Sequence, residues 1–192
     1  MAGVFGFGPG QRIPDDTGAT GLANLEVGRL GQDVNAEMFG PHNIGQIVSW
    51  MREKSDRGNG TCGFVLFGYS LGGYAIVQAA REVEKDGIYI ELILGMDPVL
   101  VFGGHGGVIR LPGDVLDAFN FYQQNGVGPL GALSRGRGFR DTPYSRGGSA
   151  NYSGIRDPVT GKLVSHGDIP FIARRLGGAA QRIRAAKTRG EF

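Results

Sequence analysis

The 192-residue chain has few of the residue types from which many functional sites are built, since it contains one cysteine, Cys62, and three histidines. A single cysteine excludes an intrachain disulfide bond and a metal site made of cysteine ligands. Cys62 precedes an apolar run, and we interpret it as a small buried residue rather than a nucleophile. No set of histidine, aspartate and glutamate residues has the spacing that is typical of a metal site.

Cofactor-binding signatures and a strong net charge are also lacking. The glycines at 6 and 8 are not followed by the third glycine of a dinucleotide-binding fingerprint, and no phosphate-binding motif is present, so the sequence predicts no cofactor. The formal net charge is +2, which does not favour a nucleic-acid partner. We interpret the basic run at 174–190 as a solvated helix face rather than as a nucleic-acid or membrane patch.

Long hydrophobic runs are absent as well. No segment approaches the length that crosses a bilayer, and residues 1–16 lack the basic and apolar regions of a signal peptide. We therefore expect no stable membrane insertion and a cytoplasmic location. The length suits a single domain, and no repeat or linker divides the chain, so we predict one domain over 1–192. No pattern indicates the oligomeric state.

Apolar strands and amphipathic helices alternate along the chain. Residues 62–68 and 88–98 are apolar runs typical of strands buried on both faces, and a helix predicted over 71–87 joins them. Short connections of this kind indicate a parallel crossover. Further elements are a short strand within 2–8, a weak helix at 22–34, a helix within 40–58, a strand at 115–124, a long loop at 125–162, and an extended segment followed by a helix at 162–186.

The segment Gly68-Tyr69-Ser70-Leu71-Gly72 has the pattern G-x-S-x-G and lies where the first of these strands meets the helix. A serine at such a sharp turn is held out of the sheet, and the new helix directs its backbone N–H groups toward developing negative charge. Glycines at 68 and 72 allow the strand and helix backbones to approach closely. The alternative is a glycine-rich turn with an incidental serine.

The run 64–78, "FVLFGYSLGGYAIVQ", resembles the nucleophile elbow of the α/β-hydrolase superfamily, and 92–98, "LILGMDP", resembles the acid-bearing strand end of its lipase-like members. This resemblance implies a compact, mainly parallel sheet with helices on both faces. It also implies a triad in the chain order Ser, Asp or Glu, then His.

A serine nucleophile needs a histidine base within hydrogen-bond reach. His166 lies before the last predicted helix, where the resemblance places the base, and it is the predicted base. His105, in a glycine-rich segment, and His42, at the start of a predicted helix, are the alternatives. Alternatively, His166 lies on the surface and takes no part in the site.

The base needs a carboxylate that orients it. Asp97 ends an apolar strand one crossover from Ser70 and is the predicted acid, although a turn-capping role is also open. Asp114 and Asp117 are the alternatives. The oxyanion hole requires two backbone donors, and we predict the N–H groups of Leu71 and, from the turn after the first strand, of Gly8.

These residues predict a serine hydrolase that cleaves a carboxylic ester through an acyl-enzyme on Ser70. The expected partner is a small or lipid-like acyl ester. A thioesterase or an acyltransferase would use the same residues. A non-catalytic interaction protein of this fold is the rival from another class, and it would be favoured if His166 faced away from Ser70.

Overall fold

The computed structural model describes residues 2–4, 37–58, 63–99, 108–126, 135–140, 146–151, 155–157 and 159–175. Its strands are β1 (Ala2–Val4), β2 (Glu37–Phe39), β3 (Phe64–Tyr69), β4 (Ile90–Met96), β5 (Ile109–Arg110), β6 (Val115–Tyr122), β7 (Phe139–Arg140) and β8 (Arg146–Asn151). Its helices are α1 (Ile44–Arg57), α2 (Leu71–Glu84) and α3 (Ile169–Arg175), the last preceded by a 3₁₀ turn, His166–Asp168.

Six strands form one sheet in the order β2-β1-β3-β4-β6-β8, and every neighbouring pair is parallel. β5 and β7 form a separate two-stranded parallel pair. In a parallel sheet all carboxyl ends lie at one edge, and ligand sites form there. The register aligns Tyr69 of β3 with Met96 of β4, and Met96 with Phe121 of β6. The residues that follow these three strands therefore share one edge.

The core explains why the central strands are apolar without alternation. All seven residues of β4 are buried, as parallel strands covered on both faces require. Helices α1 and α2 pack against each other, α2 contacts β3 and β4, and α3 contacts β4 and β6. The helical faces that enter this core include Ile47 and Met51 of α1 and Ile76 of α2, all fully buried.

Most of the predicted elements are present in the described residues. The structure confirms the helices predicted within 40–58 and 71–87, which are α1 and α2. It also confirms the strands predicted at 62–68, 88–98 and 115–124, which are β3, β4 and β6. The predicted first strand is described only at 2–4, and the weak helix at 22–34 lies outside the described residues. No described helix combines the length and apolar character needed to cross a membrane.

The prediction of a loop throughout 125–162 was wrong, because this segment contains β8, which pairs with β6 as an edge strand of the sheet. Its sequence, "RGGSAN", has neither the β-branched residues nor the apolar alternation by which strands are recognised. Pairing with β6 through backbone hydrogen bonds stabilises a strand that its side chains do not predict.

Candidate active site

Ser70 lies between the end of β3 and the start of α2 in a strained conformation, with φ 58° and ψ −125°. Its N–H donates to Met96 O at 3.0 Å, and its carbonyl accepts from Val99 N at 3.1 Å. The peptide groups around the serine are thus hydrogen-bonded to both sides of the turn that follows β4. Positive φ is costly for a residue with a side chain, so this turn persists because the surrounding structure holds it.

Two glycines make close contacts of α2 possible, one with β3 and one with the turn that follows β4. A Cβ atom at Gly68 would collide with the backbone of Gly72 in the first turn of α2. A Cβ atom at Gly73 would lie 2.6 Å from Pro98 Cβ, closer than carbon atoms pack. The strand–turn–helix setting predicted for the motif is therefore present, with glycine required at both close contacts.

Ser70, His166 and Asp97 form one continuous hydrogen-bonded relay. His166 Nε2 lies 2.9 Å from Ser70 Oγ, and His166 Nδ1 lies 2.6 Å from Asp97 Oδ2. An ionised Asp97 only accepts hydrogen bonds, so Nδ1 carries the proton and Nε2 is left to accept the Ser70 hydroxyl proton. The structure brings these three residues together in the geometry that was predicted, and their catalytic roles remain predictions.

The acid of this relay is completely buried and held by several donors. Asp97 Oδ1 accepts from Gln123 N at 2.9 Å, and Asp97 Oδ2 accepts from Gln123 Nε2 at 2.9 Å as well as from His166. Burial raises the pKa of Asp97, whereas the hydrogen bonds and charge of His166 and the hydrogen bonds of Gln123 lower it. These contacts oppose the cost of keeping a carboxylate charged away from water.

His166 is held by contacts to its backbone and to one face of its ring. Ser165 N and Ser165 Oγ both donate to Asp168 Oδ2, at 2.7 and 2.6 Å, which fixes the 3₁₀ turn. The Tyr69 ring stacks on the imidazole with 4.8 Å between centroids, and its hydroxyl donates to His166 O at 3.2 Å. Burial, followed by the charges of Asp97 and Asp168, raises the pKa of Tyr69 far above its usual range, so the phenol keeps its proton.

The alternative site residues do not enter the relay. His42 is exposed in the turn before α1. Asp114 is exposed and precedes β6, at the opposite end of that strand from the site, and Asp117 is the third residue of β6. His105 lies outside the described residues, and so does Gly8, the second predicted oxyanion donor. Leu71 is the first residue of α2, where an N–H group has no carbonyl partner within the helix, so its predicted role stays open to test.

Sequence reasoning missed Gln123 and Gly136, which both contact the acid. Gly136 N donates to Gln123 O at 2.8 Å, and a Cβ atom at Gly136 would collide with Asp97 Oδ1. Neither residue belongs to a motif. Gln123 reaches Asp97 through the pairing of β6 with β4, and Gly136 lies beside it through its hydrogen bond to Gln123 O. The position of Gln123 near the end of the strand predicted over 115–124 is the one signal that could have suggested a place at this edge.

The side chains described at this site are suited to proton transfer. In the part of the chain that the structure describes, no group of three or more histidine, cysteine, aspartate or glutamate residues is placed to hold a metal ion. The donor set at the site is one hydroxyl, one imidazole and one carboxylate already engaged with each other. What this arrangement can do is transfer a proton from Ser70 to His166 while a carbonyl carbon is attacked.

Comparison with solved structures identifies the architecture. The chain is similar to the RedJ thioesterase from the prodiginine biosynthetic pathway in Streptomyces coelicolor, with a TM-score of 0.50 and 10% identity over 94% of this chain and 84% of that one. The chain has the α/β-hydrolase fold. A second similar structure is the type II thioesterase BorB from the borrelidin biosynthetic cluster, with a TM-score of 0.42 and 12% identity over 94% of this chain and 91% of that one.

The fold assignment rests on the first structure together with the parallel sheet and the strand–turn–helix at Ser70. No protein-family model and no curated protein sequence matches the chain. In the α/β-hydrolase fold a strand–turn–helix of this kind is the place of the nucleophile elbow, and the role of Ser70 as nucleophile stays a prediction. Asp97, the predicted acid in "LILGMDP", follows β4, the strand that pairs with β3.

Proposed function

We propose that the protein is a serine hydrolase that cleaves an acyl ester or thioester through a covalent intermediate on Ser70. The observation that supports this most directly is the buried relay from Ser70 Oγ through His166 to Asp97, with distances of 2.9 and 2.6 Å. A His166 that faced away from Ser70 would have supported the rival non-catalytic interaction protein, whereas His166 Nε2 faces the hydroxyl.

The chemistry follows from the donors and acceptors of the relay. Ser70 Oγ attacks the acyl carbonyl carbon, and its proton passes to His166 Nε2. The negative charge that forms on the carbonyl oxygen would be held by the Leu71 N–H and a second backbone donor, for which Gly8 is the prediction. His166 then gives its proton to the leaving alcohol or thiol, which departs and leaves an acyl group on Ser70.

Water completes the cycle. His166 Nε2 removes a proton from the attacking water, whose oxygen bonds to the acyl carbon, and the proton returns to Ser70 Oγ as the acid product leaves. Asp97 stays ionised throughout and stabilises the imidazolium that forms in each half of the reaction. An alcohol or thiol in place of water would make the same site an acyltransferase.

The relay does not distinguish an ester from a thioester substrate, because the two differ in their leaving groups. A carboxylic ester is the substrate predicted from the sequence as a whole, and the likeness to the RedJ thioesterase, which shows the fold alone, is the reason to test a thioester beside it. Rates on matched p-nitrophenyl and thiophenyl esters of one acyl chain would distinguish the two.

A fluorophosphonate probe tests the proposal before any natural substrate is known. We expect one adduct per chain by intact mass, located on Ser70 by peptide mapping, and no adduct on Ser70→Ala. The matched control is Ser49→Ala, at an exposed position on α1, which should label like the wild type. An unlabelled wild type, or a labelled Ser70→Ala variant, contradicts the proposal.

A further inference from the structure

Gln123 is a fully buried polar residue that directly contacts the acid of the relay but takes no part in the proton transfers. It follows the last residue of β6, Tyr122, and so lies at the same sheet edge as Asp97. Its backbone N–H and its side-chain amide donate to the two different oxygens of the Asp97 carboxylate, both at 2.9 Å. The carboxylate is therefore held at both oxygens by one residue.

The orientation of the Gln123 amide is determined by its other contacts. Gln123 Oε1 accepts the N–H of Asn125 at 2.9 Å and the N–H of Gly126 at 3.3 Å. Both of these partners are donors, so the oxygen must face them and the Nε2 group must face Asp97. The reverse orientation would set donor against donor on one side and acceptor against acceptor on the other.

The same turn also reaches the segment that carries the base. Asn125 Nδ2 donates to Val164 O at 2.8 Å, two residues before His166. One short turn after β6 thus contacts the acid through Gln123 and the histidine segment through Asn125. Movement of this turn would change the distance between Asp97 and His166.

We propose that Gln123 is a positioning residue of the active site, whose amide keeps Asp97 ionised and turned toward His166. This inference rests on the proposed function and adds a residue to it. Burial disfavours the charged form of Asp97, and a hydrogen bond to that form opposes this effect. A side chain that only filled space at 123 would leave the carboxylate with one donor fewer and the N–H groups of Asn125 and Gly126 without their acceptor.

Among the described residues, the titratable groups near Asp97 are few, so its protonation can be followed in a pH profile. His166 contacts Asp97 from the 3₁₀ turn, and Tyr69 of β3 is near enough for the Asp97 charge to raise the Tyr69 pKa. Tyr69 keeps its proton over the usable pH range, and Asp168 acts on Tyr69 rather than contacting Asp97. The acid limb of kcat/KM therefore reports the His166–Asp97 pair.

Gln123→Met removes the amide and keeps the length of the side chain. Loss of a donor to the anion increases the affinity of the pair for a proton, so the acid limb of kcat/KM should move to higher pH by about one unit. The rate above that limb should also fall, by roughly tenfold, because the carboxylate is less well oriented. The control Gln46→Met, at an exposed position on α1, should leave both unchanged.

Gln123→Glu should change the alkaline side of the pH profile rather than the acid side. A buried carboxyl beside Asp97 keeps its proton at low pH and then donates as the amide does, so activity there should be close to wild type. As pH rises and this proton is lost, two carboxylates face each other, and a new alkaline loss of activity should appear. Because the protonated side chain reproduces the wild-type hydrogen bonds, a Gln123→Glu protein that fails to fold near pH 5 contradicts the proposal.

A double-mutant cycle shows whether Gln123 acts through Asp97. Asp97→Asn alone should lose roughly 10²-fold or more in turnover, and adding Gln123→Met should then cost less than about twofold. Additive losses in the cycle overturn the inference while leaving the proposed function intact. The same holds if the pH profile of neither Gln123→Met nor Gln123→Glu differs from that of the wild type. A wild-type protein that neither labels nor hydrolyses esters would instead contradict the proposed function itself.

Discussion

Ser70 and His166 are placed in the same relay by two different kinds of contact. The turn at Ser70 is built from residues 68–73, where the strand, the strained serine and the first helical turn follow one another directly. The position of His166 depends on Tyr69, Asp97 and the turn at Gln123–Asn125, which come from distant parts of the chain.

This difference has a physical origin. A tight turn is determined by local φ and ψ angles and by close contacts between neighbouring segments, so a short motif can encode it. The orientation of an imidazole relative to a carboxylate depends on the pairing of β4 with β6 and on loops that cross between them. The half of the site around Ser70 is encoded locally, and the half around Asp97 and His166 is encoded by the topology of the sheet.

The largest expected effect comes from removing the base. His166→Ala should reduce the rate of acylation by roughly 10³-fold or more, since no other group described near Ser70 Oγ accepts its proton. His42→Ala is the matched control, because His42 is exposed before α1. Burst kinetics with a p-nitrophenyl ester measure the acylation step. Equal losses in both variants would show that the relay does not carry the proton.

Two identical glycine substitutions compare the two halves directly. Gly68→Ala drives a Cβ atom into the backbone of Gly72 and should lower the free energy of unfolding by about 1–3 kcal/mol. Gly136→Ala drives a Cβ atom into the Asp97 carboxylate, and should cost roughly tenfold or more in turnover with a smaller loss of stability. Urea unfolding and ester turnover measure the two effects.

Gly45→Ala is the control for this pair, since a Cβ atom there meets nothing within 4 Å and alanine favours the helix. It should leave activity unchanged and raise stability slightly. The contrast between the halves would be lost if Gly68→Ala reduced only activity or if Gly136→Ala mainly unfolded the protein.

The smallest expected effect is a pH dependence of stability. Burial raises the pKa of Asp97 above its usual value of 3.8, so the folded protein binds its proton more tightly than the unfolded chain does. The contribution of Asp97 to stability is therefore fully present below pH 3.8 and is lost as pH rises through the raised pKa. Its slope is at most about 1.4 kcal/mol per pH unit.

Urea unfolding of wild type and Asp97→Asn from pH 3 upward isolates this contribution, because other groups titrate in both proteins. The wild type should lose stability relative to the variant as pH rises. A relative gain over that range would mean that the hydrogen bonds of Gln123 and His166 outweigh burial.

The sequence predicted the elements that carry local signals. The apolar runs of β3 and β4 and the helical spacing of α1 and α2 predicted these elements, and the motif at Ser70, through its resemblance to the α/β-hydrolase elbow, predicted the fold. Asp97 was predictable because it is a charged residue at the end of a fully apolar strand, a position that packing alone does not favour.

What the sequence could not predict depends on long-range pairing. β8 is recognisable only by its partner β6, because its own residues are glycine, alanine and polar residues. Gln123 and Gly136 have ordinary flanking sequences, and their contacts with Asp97 exist only once β4 and β6 are paired in register. Apart from the position of Gln123 near the end of a predicted strand, the sequence contains no signal for these contacts.

The strained backbone at the site has a consequence for how this sequence changes over generations and in redesign. Within the described residues, Ser70 at φ 58° and Asp97 at φ 49° are the non-glycine positions with positive φ. Each such position costs of order 1–3 kcal/mol, which glycine would recover. Selection for stability alone would therefore favour glycine at both positions. Screens that rank variants by melting temperature would, for the same reason, enrich inactive chains at the two places where chemistry is expected.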